Sequence, residues 1–430
     1  MRLPDHPLRA ELNDEVHARP PEVLAGPVRV SYLALLLTGP EREEEARRLG
    51  DLAARLGADP PPPEANHFSG DLGAFRLRWE RHTEFSRYMF VVDGVGPEPF
   101  AETALARVPE DFTAGLPGRV IAAIHAEVLA GGAEPCDPAS LSARSFAGHV
   151  LIGSQIGETR TAALTDFRIH ADGFSRFLIE GRDLSGQEAG RLLQRLLEID
   201  TYKTLALLAF PLSRALAPFL GRAERELAAI TASLAERRDA DEASLLDRLT
   251  QLEAEIEREG AGNHFRFSAA AAYYELVQRR IAELRETRLP GLQTFGEFIE
   301  RRLAPAMNTC TAAAGRQEAL SRRVARATQL LSTRIDVTRS QQNQGVLRSM
   351  NRRARLQLRL QETVEGLSVA AVTYYVVGLV SYAAKGVKGM GVPIDPEIAM
   401  AASIPFVLLL AAWRIHHVRR IVTETRPADD

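Results

Sequence analysis

Hydrophobic positions change their period twice along this chain of 430 residues. In the first half they come in short alternating or continuous runs, the pattern of strands. "PVRVSYLALLLT" (27–38) predicts one strand, and "GAFRLRWERHTEFSRYMFVV" (73–92) alternates like a pair of them. "GHVLIGSQIG" (148–157) opens a second sheet-like block, continued by "AALTDFRIHADGFSRFLIEGRDL", where Ala171, Asp172 and Gly173 supply hairpin turn chemistry. Helical spacing is read over residues 41–56, 119–129 and 185–208. These elements predict an α/β domain over residues 1–215, with the prolines at 60–63 as a rigid surface connection.

After Phe219 the strand signals stop and a helical coiled region, 216–316, is expected. Its hairpin carries Leu227, Ile230 and Leu234 on one arm and Leu245, Leu249, Leu252 and Ile256 on the other. Asp239, Asp241 and Glu242 at the tip read as a solvated helix end or as a divalent-ion site. A further helix over 268–288 breaks at Leu289-Pro290-Gly291. Residues 317–365 then hold helical spacing without a proline, through Leu320, Val324, Leu331, Ile335 and Leu347. They predict a stalk helix of about 70 Å.

The second change of period comes at 366–384, a stretch without a charged residue that as a helix would span about 28 Å, near the thickness of a bilayer's hydrocarbon. A second apolar run, 398–413, completes a two-helix transmembrane hairpin over 366–414, followed by a basic tail at 415–430. Arg348, Arg352, Arg353, Arg355 and Arg359 precede the hairpin and Arg414, Arg419 and Arg420 follow it, against Lys385 and Lys388 in its loop. Both chain ends are therefore expected on the cytoplasmic side of a bacterial inner membrane, with lipid as a partner. The fold class expected is an α/β cytoplasmic domain, a long-helix stalk and a multi-pass C-terminal hairpin.

Composition adds exclusions. Hydrophobic residues at 45%, charged residues at 25% and a net charge of −3 do not describe a nucleic-acid binder. Cys136 and Cys310 form no CxxC, so neither a disulfide framework nor a zinc knuckle is expected, and a reducing compartment fits. The first 20 residues lack the apolar core of a secretory signal. Within the first span, Thr373, Tyr374, Gly378, Ser381 and Tyr382 are chosen for polarity or small size as candidates for lining a path, while Thr373, Tyr374, Gly378 and Ser381 with Ser368 and Tyr375 suggest a face that meets another helix or water. Asn13, Asp14, Glu15, His17 and Arg19 form an N-terminal polar cluster, read either as a reactive site or as a segment tied to its domain by buried polar contacts. No phosphate-binding, zincin or nucleophile-elbow motif occurs, and no enzyme is expected.

Two stretches, "LNDEVHARPP" and "QQNQGVLRSMNRRARLQLRLQETVEGLSVAAVTYYVVGL", resemble a bacterial family of uncharacterised membrane-anchored proteins across the whole chain. The order of α/β domain, long helix, two close spans and basic tail also resembles the CorA-type metal-ion transporters. That family's loop signature is Gly-Met-Asn with Pro-Glu a few residues on; here Gly389, Met390 and Gly391 stand in its place, with Pro396 and Glu397 at the matching interval. The resemblance implies a homo-oligomer, a pentamer in that family, with the first span lining the pore. It also implies a divalent cation such as magnesium as transported or regulatory ion; no other cofactor is expected. The missing asparagine, and Lys385 and Lys388 beside the mouth, weaken cation uptake more than they weaken the architecture. Two functions stay open: cation transport or an altered form of it, and a membrane-anchored binding or scaffold protein.

Overall fold

The computed structural model describes residues 5–10, 12–13, 20–130, 137–157, 161–181, 184–235, 242–391, 393 and 395–424, the side chains at 130, 415, 416 and 418–424 excepted. They fall into two units, 1–329 and 330–430. In the first unit β1 (Val28–Leu36), β2 (His67–Asp71), β3 (Arg76–Arg81), β4 (Phe85–Asp93), β5 (Arg119–Ala130), β6 (Ile152–Ile156), β7 (Thr161–Thr165), β8 (Ser175–Gly181) and β9 (Glu286–Arg288) make one sheet. Its order is β2-β3-β4-β1-β5-β8-β7-β6-β9. β5 and β8 run parallel, while the other described ladders are antiparallel. The two sheet-like blocks of the sequence are thus halves of a single sheet, joined at β5 and β8.

Two expectations need correction. Residues 119–129, read as a helix, are the central strand β5. Ile124, His125, Ala126, Glu127 and Val128 are all buried, because neighbours flank the strand and side chains cover both of its faces. A strand buried on both faces loses its alternation, and its alanine-rich run then imitates a helix. Strands also do not end at Phe219: residues 286–288, read as the end of a helix over 268–288, are β9, which returns to pair with β6, Ser154 opposite Arg288 and Ile156 opposite Glu286.

The helices of this unit are α1 (Gly39–Arg55), α2 (Glu110–Ala114), α3 (Pro138–Ser145), α4 (Gly186–Leu207), α5 (Ala209–Ala235), α6 (Glu242–Leu284) and α7 (Phe295–Arg302). Leu49 and Leu52 of α1 share a core with Leu33, Phe75, Leu77, Trp79, Tyr88 and Phe90. Glu45, fully buried in that core, accepts from Trp79 Nε1 at 3.0 Å, Ser86 Oγ at 2.9 Å and the Tyr88 hydroxyl at 2.9 Å. Three donors satisfy a carboxylate that burial would otherwise penalise. α4 starts at a capping box, with Ser185 Oγ accepting from Glu188 N and Glu188 Oε2 from Ser185 N at 3.0 Å. It packs along β5 and α6. α5 and α6 bury Leu227, Ile230, Leu245, Leu249, Leu252 and Ile256, all positions the heptad pattern marks.

Residues 20–24 form an irregular arm held by β3 and by the start of α4. Leu24 N donates to Gly186 O at 2.9 Å, Arg76 holds Glu22 at 2.5 Å, and Arg78 donates to the Pro20 carbonyl. Gly190 lets the arm lie flat on α4, since a Cβ there would overlap the Glu22 carbonyl oxygen. Gly190→Ala is expected to lift the arm and expose the Glu22–Val23 bond. Cleavage there by a glutamyl endopeptidase, followed by mass spectrometry, should accelerate about tenfold, equivalent to roughly 1.4 kcal/mol of easier local opening.

α8 (Ala304–Gly389) starts in the first unit and continues without a break into the second, where α9 (Pro396–Glu424) follows. The stalk and the first apolar run are thus one helix, as the uninterrupted spacing predicts. Leu367, Tyr374, Leu379, Phe406, Leu409 and Trp413 are each at least 64% exposed, an apolar surface that water would not tolerate at this extent. Three helical stretches are long and apolar enough to cross a membrane: Gly186–Ala235, Phe295–Gly389 and Pro396–Arg414. The sequence marked only the last two. In the additional one, a third of the most apolar stretch is buried by the protein itself, against 11% and none in the others.

Candidate functional site

Successive residues of a helix are turned by about 100°, so positions four apart share a face. Tyr374, Gly378 and Tyr382, with Ser381 beside them, therefore lie on one side of the first apolar run. Tyr374 and Tyr382 are 78% and 74% exposed, and Gly378 and Ser381 are half-buried. Thr373, the fifth candidate, is turned about 100° away and is buried, its Oγ1 without a hydrogen-bond partner among the described residues. An open groove between α8 and α9 is lined by Leu360, Val364, Val372, Phe406 and Leu410.

The loop motif has local structural tasks. Gly389 ends α8, Met390 N donates to Val387 O and Gly391 N to Lys388 O, both at 3.1 Å, and Gly391 takes a φ of 91°. That is the left-handed residue a helix needs to stop. Pro396 and Glu397 open α9, where Asp395 caps the first turn by accepting from Glu397 N at 3.0 Å. Lys385 places its ammonium 5.9 Å from the centre of the Tyr382 ring. Gly391 presents no side chain where the CorA-type signature has an asparagine.

Of the N-terminal cluster, Asn13 lies in a helical turn, while Asp14, Glu15, His17 and Arg19 fall outside the described residues, as do Cys136, Asp239 and Asp241. The arm that follows the cluster at Pro20 ends beside a buried charge network. Glu80 accepts from Arg78 Nε at 2.7 Å and from Arg87 Nε at 3.0 Å, Arg87 reaches Glu198 at 3.3 Å, and Arg280 closes on the far oxygen of Glu198. Burial pushes the Glu80 carboxyl up, but Arg87 and Arg78 outweigh it and the net shift is down. Burial likewise pulls the Arg87 guanidinium down, and Glu80, Tyr32 and Glu198 together leave it raised. With every charge answered, the network serves to join β3, β4, α4 and α6. Burial also raises the Cys310 thiol, which lies 3.8 Å from Ser213 Oγ and is held in its inert, protonated form.

A second polar cluster was not foreseen from the sequence. His149 precedes β6, Asp166 follows β7 directly, and His170 precedes β8; the register sets Ile152 opposite Thr165 and Thr165 opposite Phe177, so all three reach the same end of the sheet. His149 Nδ1 lies 2.7 Å and His170 Nε2 3.0 Å from Asp166 Oδ2. The Asp166 side chain is fully buried and that of His170 4% exposed, while that of His149 is 30% exposed. The one signal in the sequence was Asp166 and His170 four apart in "TDFRIH", a spacing too common to stand out; His149 joins them only through the β6–β7 pairing.

A family model described as "protein of unknown function (DUF3422)" matches residues 4–422. The chain belongs to this family. Membership of an uncharacterised family is what the two quoted stretches imply, and the match covers nearly the whole chain, both units included. No curated protein and no solved structure matches the chain. The likeness to CorA-type transporters is shown by neither comparison and stands on the order of elements and the loop motif. A DUF3422 protein carries no activity by membership, so function has to be argued from geometry.

Proposed function

We propose that this DUF3422 protein is an inner-membrane protein of CorA-like architecture that forms a homo-oligomer. It passes a cation, with magnesium the first to test, along a path lined by the first span. The observation that carries this is the unbroken helix α8, which runs from the core of the soluble unit through the apolar stretch and keeps Tyr374, Gly378, Ser381 and Tyr382 on one face, apart from buried Thr373. Small and hydroxyl-bearing side chains on one face suit close helix approach and contact with hydrated ions. Of the three apolar stretches, Gly186–Ala235 stays with the soluble unit in this reading. Its buried Glu198 is paired to Arg87 and Arg280, and its buried Asp200 to Lys203 at 2.5 Å, contacts that would be lost in lipid. The remaining two spans, flanked by arginines, put both ends in the cytoplasm.

The test is flux into liposomes holding the purified full chain. Metal-dependent uptake is expected, and Gly378→Leu should abolish it while the oligomer's mass in detergent stays unchanged. Absence of flux with every divalent and monovalent ion tried, or a monomer in detergent, overturns the reading. The second reading, a membrane-anchored binding or scaffold protein, draws on the loop: Gly391 lacks the asparagine carbonyl, and both halves of the motif are accounted for as a helix end and a helix start. Retention of the cellular role after exchange of the hairpin for an unrelated two-span anchor would favour it.

A further inference from the structure

The cluster at the end of β6, β7 and β8 has the composition of a metal centre. We propose that His149, Asp166 and His170 bind a divalent first-row transition ion of the zinc type in the soluble unit. This site is separate from any path through the membrane and does not rest on the transport reading.

Two neutral imidazoles and one carboxylate are the donors that zinc, cobalt and iron prefer, whereas magnesium and calcium take oxygen. One ligand atom from each of the three residues lies within 4.8 Å of the other two. Around an ion at about 2.1 Å from each donor, ligand atoms stand about 3.0–3.5 Å apart, so binding asks for side-chain movements of about 1 Å at most. His170 supplies an independent sign. Its Nε2 is buried and comes to 3.0 Å from Asp166 Oδ2, yet it makes no hydrogen bond of acceptable geometry with any described residue. A buried ring nitrogen that stands beside a carboxylate, yet is turned so that it does not bond it, keeps its ligand capacity unused.

The support around the three residues is what a preformed site requires. Asp166 Oδ1 accepts from Arg168 N at 3.2 Å, which fixes the carboxylate and leaves Oδ2 facing the imidazoles. His170 sits at the foot of the tight turn predicted at Ala171, Asp172 and Gly173, with His170 N bonded to Phe174 O and Gly173 N to His170 O, both at 2.9 Å. Phe146 meets the His170 ring edge to face at 6.3 Å. Ser142 Oγ donates to the His149 carbonyl at 2.6 Å, and His149 N to Phe146 O at 3.0 Å. Only His149 is open to solvent, which provides a route for the ion and a side on which water can complete its coordination.

The experiment uses the full chain in detergent, stripped with a chelator and titrated with zinc against a chromophoric competitor. Wild type is expected to take up one zinc per chain, and cobalt to show visible absorption bands of a nitrogen- and oxygen-ligated ion. His149→Ala, a partly exposed position where folding should survive, and His170→Gln should each weaken this binding on the order of 100-fold and remove the cobalt bands. Equal metal-free melting of His149→Ala and wild type, read by fluorescence, keeps a binding loss from being a folding loss. The proposal is overturned if wild type binds no more zinc than His149→Ala, or if both variants bind like wild type. The cluster is then a structural one, in which His149 bonds Asp166 and His170 packs beside them. A protein without ion flux that still takes up one zinc would leave this inference standing and remove only the transport reading.

Discussion

Arg87→Met is expected to destabilise the full chain by about 3–5 kcal/mol, the usual cost of breaking a buried ion network by removing one partner. Arg87 stands between two buried carboxylates, Glu80 and Glu198, each of which keeps one other arginine, Arg78 and Arg280. The loss should therefore fall toward the lower end of that range. Trp79 lies buried in the core next to this network and reports its melting once Trp413 is replaced by phenylalanine, since the chain has 2 tryptophans. Glu80→Leu on top of Arg87→Met should cost less than Glu80→Leu alone, because in wild type that change strips a partner from both Arg87 and Arg78, and in the double variant from Arg78 only. If the double variant were as unstable as the sum of the two single ones, the network would not be a coupled unit.

The second large effect is on pH dependence. His125 on β5 is buried, its Nδ1 2.9 Å from Ser31 Oγ and its ring stacked at 3.9 Å on Phe174. Burial lowers its pKa to about 4 from 6.5, with Asp172 pulling it up and Arg176 pushing it down by smaller amounts. The unfolded chain therefore takes up this proton below pH 6.5, whereas the folded chain resists it until near pH 4. The stability contributed by the neutral ring is complete above pH 6.5, is lost as pH falls toward 4, and amounts to about 3 kcal/mol over that interval. The neighbouring Glu127 and, on β8, Glu180 act in the opposite direction, since burial raises both carboxyls. The effect of His125 is isolated by comparing wild type with His125→Gln. The difference between their melting curves should narrow steadily from pH 7 to pH 4; a constant difference would refute the assignment.

The helical hairpin, the continuous stalk and the two C-terminal apolar helices were legible along the chain because each is a local pattern. Heptad spacing and a charge-free run are properties of neighbouring residues, and tertiary contacts did not overrule them. The turn at Ala171, Asp172 and Gly173 was legible for the same reason, since it is set by short-range turn chemistry. β5 was not, because a strand covered on both faces loses the alternation that distinguishes it from a helix, and only its place between β1 and β8 settles its form. β9 is three residues long and exists through its pairing with β6.

The sites divide along the same line. By itself the sequence determined which residues of the first apolar run share a face, since the turn per residue of a helix sets that. Only the tertiary structure decided that Thr373 is buried, that Arg87 joins two distant carboxylates, and that His149 meets Asp166 and His170. Those meetings depend on strand register and on which helix covers the sheet. Long-range pairing has no periodic trace in the residues it joins, and it is settled when the whole core closes.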